Sequence, residues 1–576
     1  MKILGIHDGL TASACLLEDS HILSMASEER FTNIKNQGGF PANAIRWVMA
    51  ATNTAPEELD LIAAAGLIPP IKDTSVYTIG RHKWFSYASQ IVPAAILGSK
   101  TLVQAYISQN RAKREQGLLQ QLQPLGLGHG ASKLRFVEHH ECHAATTYYL
   151  DWNFAPDRKV LILTLDGSGD GICATVSVGE HYKITRIAST PSFHSLGMLY
   201  ARMTQFLGMK PHEHEYKLMG MAPYAPDFLA EKSYNVLKRY LRLDPSGLSF
   251  ENTSRAWGNQ IISRFQRDLV THRFDGICAG LQKLTEELVV QWILNCIQAT
   301  GIADIVVAGG VFMNVKLNML INEHPAIRSV FFMPTCGDES TALGAAIHSY
   351  VARQLEQQLT PALTPIKTLY VGPEYGNAEI EAVLQQTPGI AYKYYDDINT
   401  QLVDLLLHDK NLGRLAGRME FGARALGNRS IIANPGNWES VRKINHAIKM
   451  RDFWMPFAPS ILDTAKERYL VSTKPKKAPY MILGFETTPA ARAEIIAGLH
   501  QFDFSCRPQI VEQDWNPEYY DLLSKYEQAS GIPGVLNTSF NIHGYPMINS
   551  PADALWTLQN SALDAIQLGN FLVTRT

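Results

Sequence analysis

An apolar strand, an Asp-Gly pair, a short turn and an apolar return strand occur twice in this chain, and no other feature restricts the fold as much. The first copy is Lys2–His7, then Asp8-Gly9, then Ala12–Leu17. The second is Val160–Leu165, then the turn from Asp166 to Gly171, then Ile172–Val178. Apolar runs around a glycine turn read as hairpins. Two copies in one half imply two related α/β lobes, each turning a hairpin toward a cleft. Successive backbone N–H groups in such turns form anion-binding concavities. A third element fits: Ile305–Val311 is a strand running into Gly309-Gly310 and then Asn314, a strand–loop–helix of the kind that opens a nucleotide site.

The pattern resembles an actin/hexokinase-type (ASKHA) fold, and we place it in residues 1–355. The length, 576 residues, exceeds a single core and asks for a further domain. Between the hairpins, residues 80–125 read as helical, an insertion or cap ending in Lys, Arg and Gln. Inside it, Gln90–Thr101 is apolar, holds Pro93 and is too short to span a bilayer; it reads as a buried or interfacial helix. Thr285–Thr300 is an amphipathic helix. Gln and Pro collect near 355, so 356–368 reads as a linker and 369–576 as a second α/β domain.

Hydrophobic residues are 46% and charged residues 18%, with a net charge of -2. That balance argues against nucleic acid or a membrane as the main partner. Seven scattered cysteines without a CxxC suit free thiols in a reducing cytoplasm. The N-terminus reaches Asp8 after a few apolar positions, as a first strand does and a leader does not.

His139 and His143 are four apart on a probable helix, so they share one face and could reach one metal ion. Two carboxylates at strand ends, Asp166 and Asp338, could complete the set. Two imidazoles plus carboxylate suit iron(II), manganese or zinc. The plainer alternative is a helix N-terminus with hydrogen-bonded histidines.

The second domain carries a basic run from Ala416 to Ser430, with Arg418, Arg424 and Arg429 among glycines and small residues and Glu420 as its only acid. Lys449, Arg451 and Arg507 follow. Buried guanidinium groups without acids call for an anion, and their forks match phosphate. Solvated surface arginines are the alternative. The strand Gly534–Asn541 ends in polar groups, including Asn537 and Ser539, that could orient a nucleotide or an amide.

Together these segments resemble the NodU/CmcH-type O-carbamoyltransferases. The resemblance covers nearly the whole chain. Its motifs are Glu28–Thr32, His139-His140 with His143, Glu215–Gly220 followed by Ala222-Pro223-Tyr224, Gly309-Gly310 with Asn314, the GxRALGxRS run, Phe457–Ser460, Arg507-Pro508-Gln509 and Leu536–Asn541. It implies an N-terminal domain similar to threonylcarbamoyl-transfer proteins and a YrdC-like C-terminal domain. The latter would turn carbamoyl phosphate and ATP, with magnesium, into carbamoyl-AMP. The former would pass the carbamoyl group to a small-molecule hydroxyl at an iron(II) site. By motif match His139, His143, Asp166 and Asp338 would ligate the metal, and Lys217, Gly309, Gly310 and Asn314 would line the adenylate site. Arg418, Arg424, Arg429, Lys449, Arg451 and Asn537 would hold carbamoyl phosphate and ATP, with Arg507 and Ser539 beside them and Arg424 as the catalytic member. A homodimer is implied by family analogy.

One position departs from the family. The first hairpin normally carries His-Asp before Ala-Ser-Ala, and that histidine is the expected base; here Leu10 and Thr11 stand there. Three readings follow: His7 or Asp8 acts as the base from the same turn, the acceptor is an amine or another group needing less assistance, or transfer activity has been lost. Rival readings are a small-molecule kinase, a tRNA threonylcarbamoyl transferase and a non-catalytic scaffold or sensor.

Overall fold

The computed structural model describes residues 1–69, 100–128 and 131–576. They form two compact units: Met1–Glu28 with Asn36–Ile366, and Glu29–Lys35 with Lys367–Thr576. Among the described residues no helix is long and apolar enough to cross a membrane.

The first unit contains two five-stranded sheets. One runs in the order His21–Ser27, Ser13–Glu18, Lys2–His7, Leu61–Ala65, Leu134–Val137. The other runs Lys183–Pro191, Ile172–Glu180, Val160–Gly169, Asp304–Ala308, Ser329–Phe332. In both, the first two pairings are antiparallel and the last two parallel. The repeat seen as two hairpins is therefore a whole sheet used twice, the two-lobed actin/hexokinase-type architecture. The parallel strands read as continuous apolar runs because helices cover them; every residue of Leu61–Ala65 and Asp304–Ala308 is buried.

Asp170, at the tip of the second hairpin, joins the lobes. Its carboxylate accepts from the backbone N–H groups of Leu67 (2.9 Å), Ile68 (3.0 Å) and His139 (2.9 Å). It thereby sets the start of the helix His139–Tyr149, and the helix Thr341–Glu356 packs across that one.

The apolar helix read over Gln90–Thr101 lies outside the described residues except for Lys100 and Thr101, which open the helix Lys100–Leu122. Segment 356–368 ends as an ordered strap: Ile366 is buried, donates its N–H to the Leu150 carbonyl (3.1 Å) and accepts from the Trp152 indole (2.7 Å).

The second unit is α/β, built on an eight-stranded mixed sheet. Its order is Ile390–Tyr394, Phe571–Arg575, Ala565–Leu568, Leu412–Leu415, Arg429–Ala433, Gly534–Ser539, Ala458–Leu462, Gln509–Val511. Neighbouring residues along its strands divide between two apolar clusters: Ile431, Leu536 and Ile566 in one, Ile432, Val535 and Ala565 in the other. The strand period of two sends them to opposite faces, so both faces are covered.

Asp170→Ala leaves three backbone donors without their acceptor. At about 1–3 kcal/mol per buried unsatisfied group, chemical denaturation should show a loss of about 3 kcal/mol or more, with Asp170→Asn closer to wild type.

Candidate functional site

The metal candidate grows from the end of the strand Leu134–Val137. Glu138 caps the helix that follows, its carboxylate accepting from His140 N (3.0 Å) and Glu141 N (3.1 Å). His139 and His143 then stand one turn apart with their Nε2 atoms at 3.2 Å. Asp166 Oδ2 lies 3.4 Å from His139 Nε2, and Asp338 Oδ1 lies 3.4 Å from His139 and 3.5 Å from His143. All four ligand atoms fall within 4.8 Å of one another.

This donor set fits a transition-metal ion. Four ligands at about 2.1 Å from one centre have tetrahedral edges of about 3.4 Å, close to the spacings seen. Asp338 Oδ1 is buried and accepts no hydrogen bond of good geometry, and His143 Nδ1 is buried without a partner. A buried acceptor without a donor is costly, and a cation would relieve it. Burial alone would lower the His139 pKa, yet Asp338 and Asp166 outweigh it and hold it well above the usual range. Burial would likewise raise Asp338, but His139 and His143 hold it well below the usual carboxylate range.

The surroundings permit little change. A Cβ on Gly169 would sit 2.0 Å from His139 Cγ, so only glycine lets that ring lie there. Gly310 donates its N–H to Asp166 Oδ1 at 2.9 Å, and Gly309, at φ +107, leaves no room for a Cβ against the Leu165 carbonyl. His140 stands apart from the set: its ring contacts Thr164 Oγ1 (2.7 Å) and the Ile172 carbonyl (3.1 Å), and burial lowers its pKa to about 4.

In the first hairpin both base candidates are engaged. Asp8 is gripped by Arg114 through two contacts of 2.6 and 2.7 Å, and Arg114 also lies 5.2 Å over the Phe136 ring. His7 Nε2 meets the Leu10 carbonyl at 2.8 Å, and Nδ1 meets Thr341 Oγ1 at 2.9 Å. Burial lowers the His7 pKa. Arg114 escaped sequence reading because it lies on a polar helix within no motif.

Of the residues expected at an adenylate site, Gly309 and Gly310 border Asp166, while Lys217 lies on the helix Glu215–Met221. Asn314 caps the helix Val315–Glu323 through Leu317 N (3.1 Å) and pairs its amide with Gln282 at 2.8 and 3.1 Å. Its side chain is thus held within the fold, and Gln282 is a partner no motif announced.

In the second unit three arginines converge electrostatically. Burial, and then the charges of Arg424 and Arg451, hold the Arg507 pKa well below its usual value. Three guanidinium groups whose positive charges act on one another make a place where an anion would be welcome. Arg451 also reaches Thr538 Oγ1 (3.1 Å) and lies 5.0 Å over Phe457. Asn537 sits in the sheet beneath, its Nδ2 donating to Ser460 Oγ (2.9 Å) and the Ala425 carbonyl (3.2 Å) while Oδ1 is buried without a donor.

Arg429, Lys449 and Arg418 differ from the sequence expectation. Arg429 is fully buried and donates to five carbonyls, those of Ala416, Gly417, Asn428, Pro373 and Asn549. Backbone dipoles satisfy it instead of phosphate, and we assign it to the framework. Lys449 Nζ is anchored to the Asn541 carbonyl (2.9 Å) and to Ser539 Oγ (3.2 Å), with burial and then Arg451 and Lys35 depressing its pKa. Ser539 is therefore an anchor for Lys449. Arg418 donates to the Val371 carbonyl at 2.7 Å. Glu420 braces the same loop, accepting from Leu426 N (2.6 Å) and Arg429 N (3.2 Å).

The family description "Carbamoyltransferase N-terminus" matches residues 2–347, and "Carbamoyltransferase C-terminus" matches 403–575. The chain belongs to the carbamoyltransferase family. This carbamoyltransferase is 30% identical to an uncharacterised protein of Methanocaldococcus jannaschii, covering 100% of this chain and 99% of the relative. It is 28% identical to nodulation protein NolNO of Sinorhizobium fredii, covering 99% of this chain and 79% of the relative. Among solved structures it is similar to component A of the Acidaminococcus fermentans (R)-2-hydroxyglutaryl-CoA dehydratase, at 16% identity and a TM-score of 0.32, over 61% of this chain and 99% of that one.

Two outcomes follow for this carbamoyltransferase. Purified wild type should carry about one equivalent of divalent transition metal by elemental analysis, and Gly169→Ala or His139→Ala should carry less than a tenth of that. Arg429→Ala, which strips a buried cation from five carbonyls, should destabilise the second unit by about 3–5 kcal/mol in denaturant melts.

Proposed function

We propose that this carbamoyltransferase is an ATP-dependent O-carbamoyltransferase. The second unit would take carbamoyl phosphate, ATP and water to carbamoyl-adenylate, phosphate and pyrophosphate. The first would move the carbamoyl group to a hydroxyl of a small-molecule acceptor. The observation that carries the reading is the convergence of His139, His143, Asp166 and Asp338 beside the Gly309-Gly310 turn. A small-molecule kinase has no need of that cluster, and family membership argues against a kinase.

The chain's own residues divide the work as follows. Arg424, Arg451 and Arg507 bind phosphate oxygens, their repulsion relieved by the anion. Asn537 Oδ1, buried without a donor, accepts from the carbamoyl amide and so orients it. Nitrogen donation makes the carbamoyl carbon a poor electrophile, and the adenylate supplies a better leaving group. His139, His143, Asp166 and Asp338 would hold iron(II), manganese or zinc, which when bound would polarise the carbonyl or the phosphate. Gly309 and Gly310, by lacking side chains, keep the space beside Asp166 open for the adenylate.

Asp8 is committed to Arg114, so His7 is the better base of the two. Its Nδ1 contact with Thr341 Oγ1, a hydroxyl that also lies 2.7 Å from the Asp338 carbonyl, ties it to the loop that carries Asp338. Replacement of the family histidine by Leu10 is then met by a histidine three residues earlier in the same turn.

The test is pyrophosphate release without acceptor. It should require both ATP and carbamoyl phosphate, fall at least a hundredfold in Arg424→Ala, and persist in His7→Gln. Release that ignores carbamoyl phosphate, or none from wild type, would contradict the carbamoyl-adenylate route.

A further inference from the structure

Seven residues near the N-terminus, Glu29–Lys35, belong to the second unit although the chain on both sides of them belongs to the first. Arg30 lies at their centre and is 6% exposed. One guanidinium nitrogen donates to the Gly422 carbonyl (2.9 Å), and another to the Met547 carbonyl (3.3 Å). Glu29 partly balances its charge at 3.0 Å. Asn33 donates to Asp553 (3.2 Å), the capping-box residue of the helix Pro551–Gln559.

The two carbonyls that Arg30 joins are not equivalent pieces of surface. Gly422 lies two residues before Arg424, in the basic run. Met547 lies in the loop after the strand Gly534–Ser539, whose beginning, Asn541, holds Lys449, and Met547 packs with Met419 and Ala425 from the basic run itself. A planar cation with diverging donors holds two carbonyls at a set separation, which a lysine cannot do as well. Lys35, at the end of the same segment, adds its charge to those acting on Lys449.

We propose that Arg30 is a positioning residue for the anion site of the second unit: it ties the basic-run turn to the 541–550 loop and so sets where Arg424 stands. The segment Glu29–Lys35 is then a working part of the second unit. The proposal rests on the reading that Arg424 and its neighbours bind the phosphate of a substrate.

The experiment is calorimetric titration of the full chain with inorganic phosphate. Wild type binds, Arg424→Ala does not, and Arg30→Ala binds at least tenfold more weakly. Arg30→Lys, which can keep one of the two carbonyl bonds, recovers part of that loss. Asn33→Ala, which loosens the same segment elsewhere, binds as wild type does, and melting temperatures taken alongside separate affinity from stability. Arg30→Ala binding like wild type, or no more weakly than Asn33→Ala, overturns the proposal, as does a wild type that binds no phosphate. Pyrophosphate release on the same samples judges the other reading separately: phosphate binding with this Arg30 dependence but no pyrophosphate contradicts the carbamoyl-adenylate route and leaves the positioning role standing.

Discussion

Four side-chain atoms drawn from both lobes of the first unit meet within 4.8 Å, and that convergence is the constraint around which the unit is built. His139 and His143 come from the helix that follows the last strand of one sheet; Asp166 lies in the strand Val160–Gly169 of the other, and Asp338 opens the 3-10 turn beyond that sheet's strand Ser329–Phe332. Two buried carboxylates cannot share a space with two imidazoles unless charge is supplied, either as protons on histidine or as a metal ion. The lobes must therefore be held in register to a fraction of an ångström, and Asp170 does this with three hydrogen bonds to the opposite lobe. Gly169, next to it, leaves the space that the His139 ring takes up.

The second unit solves the opposite electrostatic problem. It gathers cations, and several of them build the framework. Arg429 spends its donors on five carbonyls, and Lys449 on the Ser539–Asn541 turn. The loop is held by these and by Glu420, and the charges of Arg424 and Arg451 bear on Arg507. Arg30, from near the other end of the sequence, extends the same framework.

The features that repeat or keep a period were legible in the sequence. The two Asp-Gly hairpins announced two lobes, and the i, i+4 spacing announced the histidine pair. What could not be read were pairings set by distant backbone. Asp170 looked like one more turn residue, yet its carboxylate joins the lobes. Arg114 and Gln282 lie on helices without motif character and find Asp8 and Asn314 only when folded. Arg429 illustrates the limit most clearly: an arginine among small residues needs counter-charge, but its composition does not distinguish a phosphate from a ring of carbonyls. The departure at Leu10 was visible, whereas the contact between His7 and Thr341 that bears on it was not.

The most direct test of the account is X-ray absorption at the K-edge of the bound metal in the protein as purified. The account predicts two nitrogen and two or more oxygen neighbours at about 2.0–2.2 Å, with outer-shell imidazole scattering that falls by half in His143→Ala. A first shell without imidazole, or one that His143→Ala leaves unchanged, would show that the four residues do not form the metal centre.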